Sequence, residues 1–110
     1  MLHEKLNCYQ KSLFLADELN SISSRFPRGY GYLSDQIKRA ISSVVLNCAE
    51  GNSRMGTQDR RKFFNIARSS LSEIGACLDL LNVFLLINPS KFNELKGTAY
   101  QISYALHRLR

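Results

Sequence analysis

Three short interruptions divide this 110-residue chain into four long segments with helical periodicity. The first interruption contains Pro27, Gly29 and Gly31, glycine recurs at Gly51 and Gly56, and Pro89 marks the third interruption. Proline cannot continue a helical hydrogen-bond ladder, and glycine often ends a helix. We predict an all-α fold, an up-and-down antiparallel four-helix bundle in one domain over residues 1–110. The predicted helices cover residues 3–26, 34–53, 58–87 and 91–110.

Polar residues near the predicted helix starts indicate how these helices begin. Ser34, Thr57 and Ser90 each precede a periodic segment and can act as N-caps. Gly51 is predicted to stop the second helix, and Pro89 to close the third.

Apolar residues three and four apart predict the face that each helix buries. The predicted stripe of helix 3 is Phe63, Ala67, Ser70, Ile74, Cys77, Leu78, Leu81 and Leu85. The predicted stripe of helix 4 is Leu95, Ala99, Ile102, Leu106 and Leu109, and that of helix 2 is Leu33, Ile37, Ile41, Val44 and Cys48.

Helices 1 and 2 carry apolar residues beyond a single stripe. Helix 1 has one arc at Leu2, Leu6, Tyr9, Leu13 and Ala16 and another at Cys8, Leu15, Leu19, Ile22 and Phe26. On helix 2, Leu46 and Ala49 point away from the stripe. Such a wide arc fits either a contact with another subunit or a helix wedged among three neighbours.

The excess positive charge is confined to the middle of the chain. Residues 25–68 hold nine Lys and Arg and three acids, which accounts for the whole net charge of +6. A basic region favours an anionic partner, either nucleic acid or an acidic membrane surface. The nucleic-acid-binding candidates are Arg28, Arg54, Arg60, Arg61, Lys62 and Arg68.

Several of these bases lie where a helix disfavours them. Arg60, Arg61 and Lys62 sit at the predicted start of helix 3 and oppose its dipole, and Asp59 relieves only part of this. A locally unfavourable feature is expected where function outweighs stability. Tyr100 and Tyr104, on the outer face of helix 4, fit either base stacking or a subunit contact.

Polar residues on one face of helix 2 form a second candidate group. Their spacing places them along a single strip, with Glu73 of helix 3 within reach. The strip comprises Arg39, Ser43, Asn47, Glu50 and Arg54. We interpret it as a structural polar network that sets helix register, in preference to a functional polar groove.

No pattern in the sequence supports catalysis, a metal or a cofactor. Neither His3 nor His107 has the acid spacing of a di-iron bundle, and the three cysteines are widely separated. Those cysteines fit reduced thiols, and the sequence has no signal peptide or membrane-spanning run. We therefore expect a cytoplasmic protein that is not an enzyme.

The residues that carry this organisation also resemble a known family. Residues 32–40, Ser43, residues 47–54 and residues 63–73 resemble the bacterial four-helix-bundle proteins encoded in 23S ribosomal RNA intervening sequences. The resemblance extends to the accessory protein of diversity-generating retroelements. Lys38 replaces a usual arginine and Ser69 a common glycine.

The resemblance implies a ring-shaped homo-oligomer, a pentamer, and in the retroelement relatives a basic surface that engages a reverse transcriptase and nucleic acid. Together with the charge, it favours a non-enzymatic basic bundle that binds RNA or a nucleoprotein partner. The alternative is a protein–protein scaffold without nucleic-acid binding, in which the charge serves solubility.

Overall fold

Four α-helices make up the chain in a computed structural model that describes residues 2–109, with side chains at residue 5 and residues 7–109. The helices are α1 (Leu2–Ser23), α2 (Gly31–Ser53), α3 (Thr57–Val83) and α4 (Pro89–Leu109). The predictions for residues 1 and 110, and for the side chains of Leu2 and Leu6, concern parts of the chain outside this description. No strand occurs within the described range. The predicted all-α fold is confirmed.

The helices follow an up-and-down course around one core. Each helix packs against the next in the chain, and α1 closes the arrangement by packing against α4. The most extensive contact lies between α2 and α3, which are joined by a turn of only three residues. Short connections force neighbouring helices to run antiparallel, so the α2–α3 hairpin is the most closely constrained part of the bundle.

Most of the predicted core is buried as expected. The stripes of α2 and α4 are buried throughout, and on α1 the arc from Cys8 to Ile22 faces inward while Leu13 is 39% exposed. On α3, Phe64 takes the buried place expected for Phe63, and Leu71 joins the core. Two other members of the predicted stripe are not buried, since Ser70 is half-buried and Leu85 is exposed. Since α3 packs against both α2 and α4, its buried face is wider than one stripe.

The helix starts differ from the predicted caps. Helix α2 begins three residues before the expected position, with Tyr30 as N-cap, so Ser34 lies inside the helix. Gly56, rather than Thr57, is the N-cap of α3. Helix α1 ends at Ser23, because the amides of Arg25 and Phe26 donate to carbonyls three residues back and tighten the chain into a turn.

The α3–α4 connection uses a cap that the sequence interpretation misplaced. Asn88 Oδ1 accepts a hydrogen bond from the Lys91 amide at 2.9 Å. This is the bond that an N-cap side chain makes with the amide three residues later, so Asn88 is the N-cap of α4. Pro89 therefore opens α4 as its first residue rather than closing α3, and Ser90 lies inside the helix.

Helix α3 ends in a Schellman motif built around a leucine. The Leu86 amide donates to the Leu81 carbonyl and the Leu85 amide to the Asn82 carbonyl. Leu85 adopts a φ of 60°, a conformation that glycine usually supplies at this position. Its side chain is 88% exposed, so Leu85 lies outside the core stripe predicted for helix 3.

Gly51 is a packing residue within α2 and not the helix stop predicted from the sequence. It is buried, two residues before the helix ends, and the fully buried ring of Phe64 from α3 lies against its backbone. A Cβ at this position would overlap that ring. The missing side chain therefore lets α2 and α3 approach closely beside their connecting turn.

We expect Gly51→Ala to lower the free energy of unfolding by about 2 kcal/mol, because overpacking a filled core costs about 1–3 kcal/mol. Gly97→Ala is the matched control, since Gly97 lies in α4 with nothing within 4 Å of an added Cβ. That substitution should raise stability by up to about 1 kcal/mol through helix propensity alone. Urea denaturation compares the two, and a Gly51 variant as stable as the Gly97 variant would contradict the packing role.

Candidate nucleic-acid interface

Cations surround an aromatic ring at the α2–α3 turn. The guanidinium carbon of Arg54, the C-cap of α2, lies 4.8 Å from the ring centroid of Phe63, and Lys62 Nζ lies 5.6 Å from the same centroid. Both distances fall within the range of cation–π attraction. Phe63 thus holds two cations together at the surface, a role that its predicted core position did not suggest.

Three further bases lie on the first half of α3. Arg60 Nη1 donates to the Met55 carbonyl at 3.5 Å, which draws this side chain back over the turn. Arg61 is exposed, and Arg68 is half-buried two turns further along the helix. The Nε atoms of Arg60 and Arg68 are buried and lack a hydrogen-bond partner within the described structure.

Arg28 does not join this group. It lies in the turn before α2, whereas Arg54 lies just after α2, and a helix of 23 residues is about 35 Å long. The basic region from residue 25 to residue 68 is continuous in the sequence but is divided between opposite ends of the bundle. The structure therefore brings together Arg54, Arg60, Arg61 and Lys62, with Arg68 further along the same helix.

The polar strip of α2 forms two hydrogen-bonded links to α3. Ser70 Oγ donates to Ser43 Oγ at 2.8 Å, and Asn47 Nδ2 donates to the Ser43 carbonyl at 2.8 Å and to its hydroxyl at 3.2 Å. This cluster is partly buried between the helices, where hydrogen bonds are expected to favour one register.

The second link uses a residue that the sequence interpretation did not select. Gln36 Nε2 donates to the Glu73 carboxylate across the interface, and Arg39 Nη2 donates to Gln36 Oε1 at 2.9 Å. Gln36 lies seven residues before Ser43, so helical spacing could have placed it on the same strip. The spacing along α3 places Ser70 on the predicted core stripe, but the sequence does not show that Ser43 of α2 faces it.

Glu50 and Arg54 pair with each other within α2. Arg54 Nη2 lies 3.0 Å from Glu50 Oε2, and both side chains are about half exposed. An exposed pair of this kind contributes about 0.3–0.5 kcal/mol. It supports the last turn of α2 and partly neutralises Arg54.

The cysteines occupy buried positions between helices. Burial raises the pKa of the Cys48 thiol to about 11, a hydrogen bond with Ser12 opposes the rise, and nearby Cys8 adds to it. Burial also raises the pKa of Cys77, with a further contribution from Glu73. Since the thiolate is the reactive form, these two thiols are poor nucleophiles at neutral pH.

The described part of the chain has neither a cluster of metal ligands nor a helix that could span a membrane. Its His, Cys, Asp and Glu residues form no group of three or more that could hold a metal ion. Within residues 2–109, none of the helices has the length and apolar character needed to cross a membrane.

Comparison with known proteins identifies a family and shows a likeness to a solved structure. A family model described as 23S rRNA-intervening sequence protein matches residues 4–108. The chain is also similar to the crystal structure of a protein with unknown function from the S23 ribosomal protein family of Bacteroides thetaiotaomicron VPI-5482, with 20% identity. The TM-score is 0.86 and 96% of each chain is covered, a likeness that shows the fold alone. No curated protein matches the chain.

The hydrogen-bonded links predict different costs for substitutions along the α2 strip. We expect Ser70→Ala to lower the free energy of unfolding by about 1 kcal/mol, because it removes the bond to Ser43 across the partly buried interface. Glu50→Ala is the control from the same strip and should change stability by less than about 0.5 kcal/mol. Thermal and urea denaturation measure both, and equal values for the two variants would contradict a register role for Ser70.

Proposed function

The chain belongs to the 23S rRNA-intervening sequence protein family, and we propose that it is a non-enzymatic, homo-oligomeric helical bundle that binds RNA, alone or within a nucleoprotein such as a reverse-transcriptase complex. The family resemblance predicted from the sequence is thereby confirmed. The RNA-binding surface that we propose is the α2–α3 hairpin, made by Arg54, Arg60, Arg61 and Lys62, with Arg68 further along α3.

The observation that carries this proposal is the small number of ion pairs among these bases. Among the side chains of residue 5 and residues 7–109, Arg54 pairs with Glu50, and Lys91 and Lys96 of α4 also pair with acids. None of these pairs involves Arg60, Arg61, Lys62 or Arg68. Arg60, Arg61 and Lys62 also lie near the start of α3, where the helix dipole disfavours positive charge. Bound phosphates would offset both the mutual repulsion and the dipole.

The hairpin geometry suits a phosphate backbone more than a single base edge. Arg54 and Lys62 are held 4.8 Å and 5.6 Å from the Phe63 ring centroid, and Arg61 is exposed one residue before Lys62. Contacts of this kind to phosphate provide affinity that depends little on sequence. Arg28 is left out of the proposed surface because it lies at the other end of the bundle.

Charge removal at the hairpin should weaken RNA binding and its salt dependence together. We expect Arg61→Gln/Lys62→Gln to bind unrelated RNA sequences more weakly. The slope of log affinity against log salt should become shallower by about 0.7 for each lost single-strand phosphate contact. Fluorescence anisotropy at several salt concentrations measures both quantities.

The control for this experiment is Arg25→Gln/Lys38→Gln, which removes the same charge from two exposed positions far from the α2–α3 turn. This control should keep a slope close to that of the native protein. If both double variants lose affinity equally, net charge and not the hairpin drives binding. If the native protein binds no RNA at any salt concentration, the scaffold function is favoured.

The homo-oligomeric part of the proposal is supported by apolar side chains on the outside of the first two helices. Leu13 is 39% exposed, Phe14 45% and Leu46 64%. Exposed apolar residues of this size often mark a contact with another chain. The resemblance to ring-forming relatives supports a pentamer as the assembly.

We expect light scattering to give a mass several times the 12.5 kDa of one chain. Leu13→Glu/Leu46→Glu should lower that mass and leave the circular dichroism spectrum helical, because both side chains lie outside the core of the single bundle. A Val83→Glu variant is the control, since Val83 is 72% exposed at the end of α3. A native protein that is monomeric at micromolar concentration would contradict the proposal.

A further inference from the structure

A polar cleft lies between α3 and α4 beside Arg68. Asn65, Arg68, Ser69 and Ser72 of α3 line it together with Ser103 of α4, and its volume is about 320 Å³. Its lining offers a guanidinium, three hydroxyls and an amide, and includes no carboxylate. All of these groups can donate hydrogen bonds, so the cleft has the chemistry of an anion site.

Arg68 is suited to bind an anion in this cleft. Its Nε is buried and has no hydrogen-bond partner among the described residues, and its side chain makes none of the described ion pairs. Since Arg68 lines the cleft and forms none of these ion pairs, its guanidinium can bind a phosphate oxygen there. Guanidinium donors also match two oxygens of a phosphate group at once.

An apolar cleft continues from the polar one along the same pair of helices. Leu71, Gly75, Ala99 and Tyr100 line it, and its volume is about 200 Å³. Ser72 and Ser103 line both clefts, so the two form one groove, which we call the α3–α4 groove. Arg68 and Gly75 are seven residues apart, which corresponds to about 10 Å along the helix.

Tyr100 provides an aromatic surface at the apolar end of this groove. Its side chain is 73% exposed, beside the bare backbone of Gly75. Lys96 also lines this end, and its Nζ is held 2.8 Å from Asp79 Oδ1. The groove therefore presents its available cation at one end and its exposed ring at the other.

We propose that the α3–α4 groove binds one nucleotide unit of single-stranded RNA, with the phosphate at Arg68 and the serine hydroxyls and the base stacked on Tyr100. The proposal rests on the RNA-binding function proposed above and assigns it a second, base-contacting surface. In a nucleotide the phosphate lies at one end and the flat base at the other. The groove has the same arrangement, with Arg68 at its polar end and the ring of Tyr100 at its apolar end. Bases in a duplex are already stacked and paired, so the groove selects single strands.

The groove is continuous with the basic hairpin through one face of α3. Arg61, Asn65, Arg68 and Ser72 recur three and four residues apart, so they share a side of the helix. A strand whose phosphates contact Arg61 can therefore follow α3 toward Arg68. The hairpin would supply affinity that depends on salt, and the groove would supply the contact to a base.

The experiment compares two single variants on two probes. The probes are a short fluorescein-labelled single-stranded RNA and the same strand with abasic sites, which retains the phosphates. We expect Tyr100→Leu to weaken binding of the normal strand by about 5-fold or more, because stacking on an aromatic side chain contributes at least that much. Tyr100→Leu should leave binding of the abasic strand unchanged, whereas Arg68→Gln should weaken binding of both.

Two control variants match these changes at positions outside the groove. Tyr32→Leu removes a ring that is 61% exposed on α2, and Arg25→Gln removes a charge before α2. Neither control should distinguish the normal strand from the abasic strand. If Arg68→Gln fails to fold, Arg68→Lys keeps the charge without the forked geometry and should weaken both probes less than full charge loss.

Three results would overturn the groove assignment. If the native protein binds single strands and Tyr100→Leu matches Tyr32→Leu on the normal strand, the groove is not the base site and the hairpin function stands. If duplex RNA binds as tightly as single strands and is equally sensitive to Tyr100→Leu, stacking on an unpaired base is excluded. If the native protein binds no RNA, the groove and the hairpin function both fail.

Discussion

The contact between Gly51 and Phe64 is the constraint on which the α2–α3 hairpin depends. The ring of Phe64 is fully buried against a backbone position without a side chain, within a few residues of the connecting turn. Cores are filled to near crystal density, so this contact fixes how closely the two helices approach. Phe63 follows as the neighbouring outward residue, and it holds Arg54 and Lys62 at the surface. The geometry of the proposed RNA surface is thus a consequence of a packing choice in the core.

Hydrogen bonds between the same two helices add what apolar packing cannot provide. Apolar contacts are not directional, so they discriminate less sharply than hydrogen bonds against a shift of one helix along another. The bonds of Ser43 with Ser70 and of Gln36 with Glu73 would be lost by such a shift. The Ser43–Ser70 pair is partly buried, where a polar group without a partner costs about 1–3 kcal/mol, whereas water can solvate the exposed Glu73. The polar strip therefore favours one register, and that register also determines which bases of α3 lie beside the turn.

The polar groups of α3 are divided between its neighbours. One side of the helix gives Ser70 and Glu73 to α2, and another gives Asn65, Arg68 and Ser72 to the groove beside α4. The first set is hydrogen-bonded across an interface, whereas Arg68 Nε has no hydrogen-bond partner among the described residues. Ser70 and Glu73 stabilise the contact with α2. We propose that Asn65, Arg68 and Ser72 bind a ligand.

The sequence by itself determined the four helices, the buried stripes of α2 and α4 and the basic character of the hairpin. These properties follow from periodicity, from proline and glycine, and from charge, all of which act over a few residues. Tertiary structure decided that Gly51 packs against Phe64, that Ser70 and Gln36 join the polar strip, and that Arg28 lies far from Arg54. It also decided that Arg68 and Tyr100 line one groove. Residues that are distant in the chain come into contact only through the packing of whole helices. Local sequence patterns do not specify which neighbouring helix each face of a helix contacts.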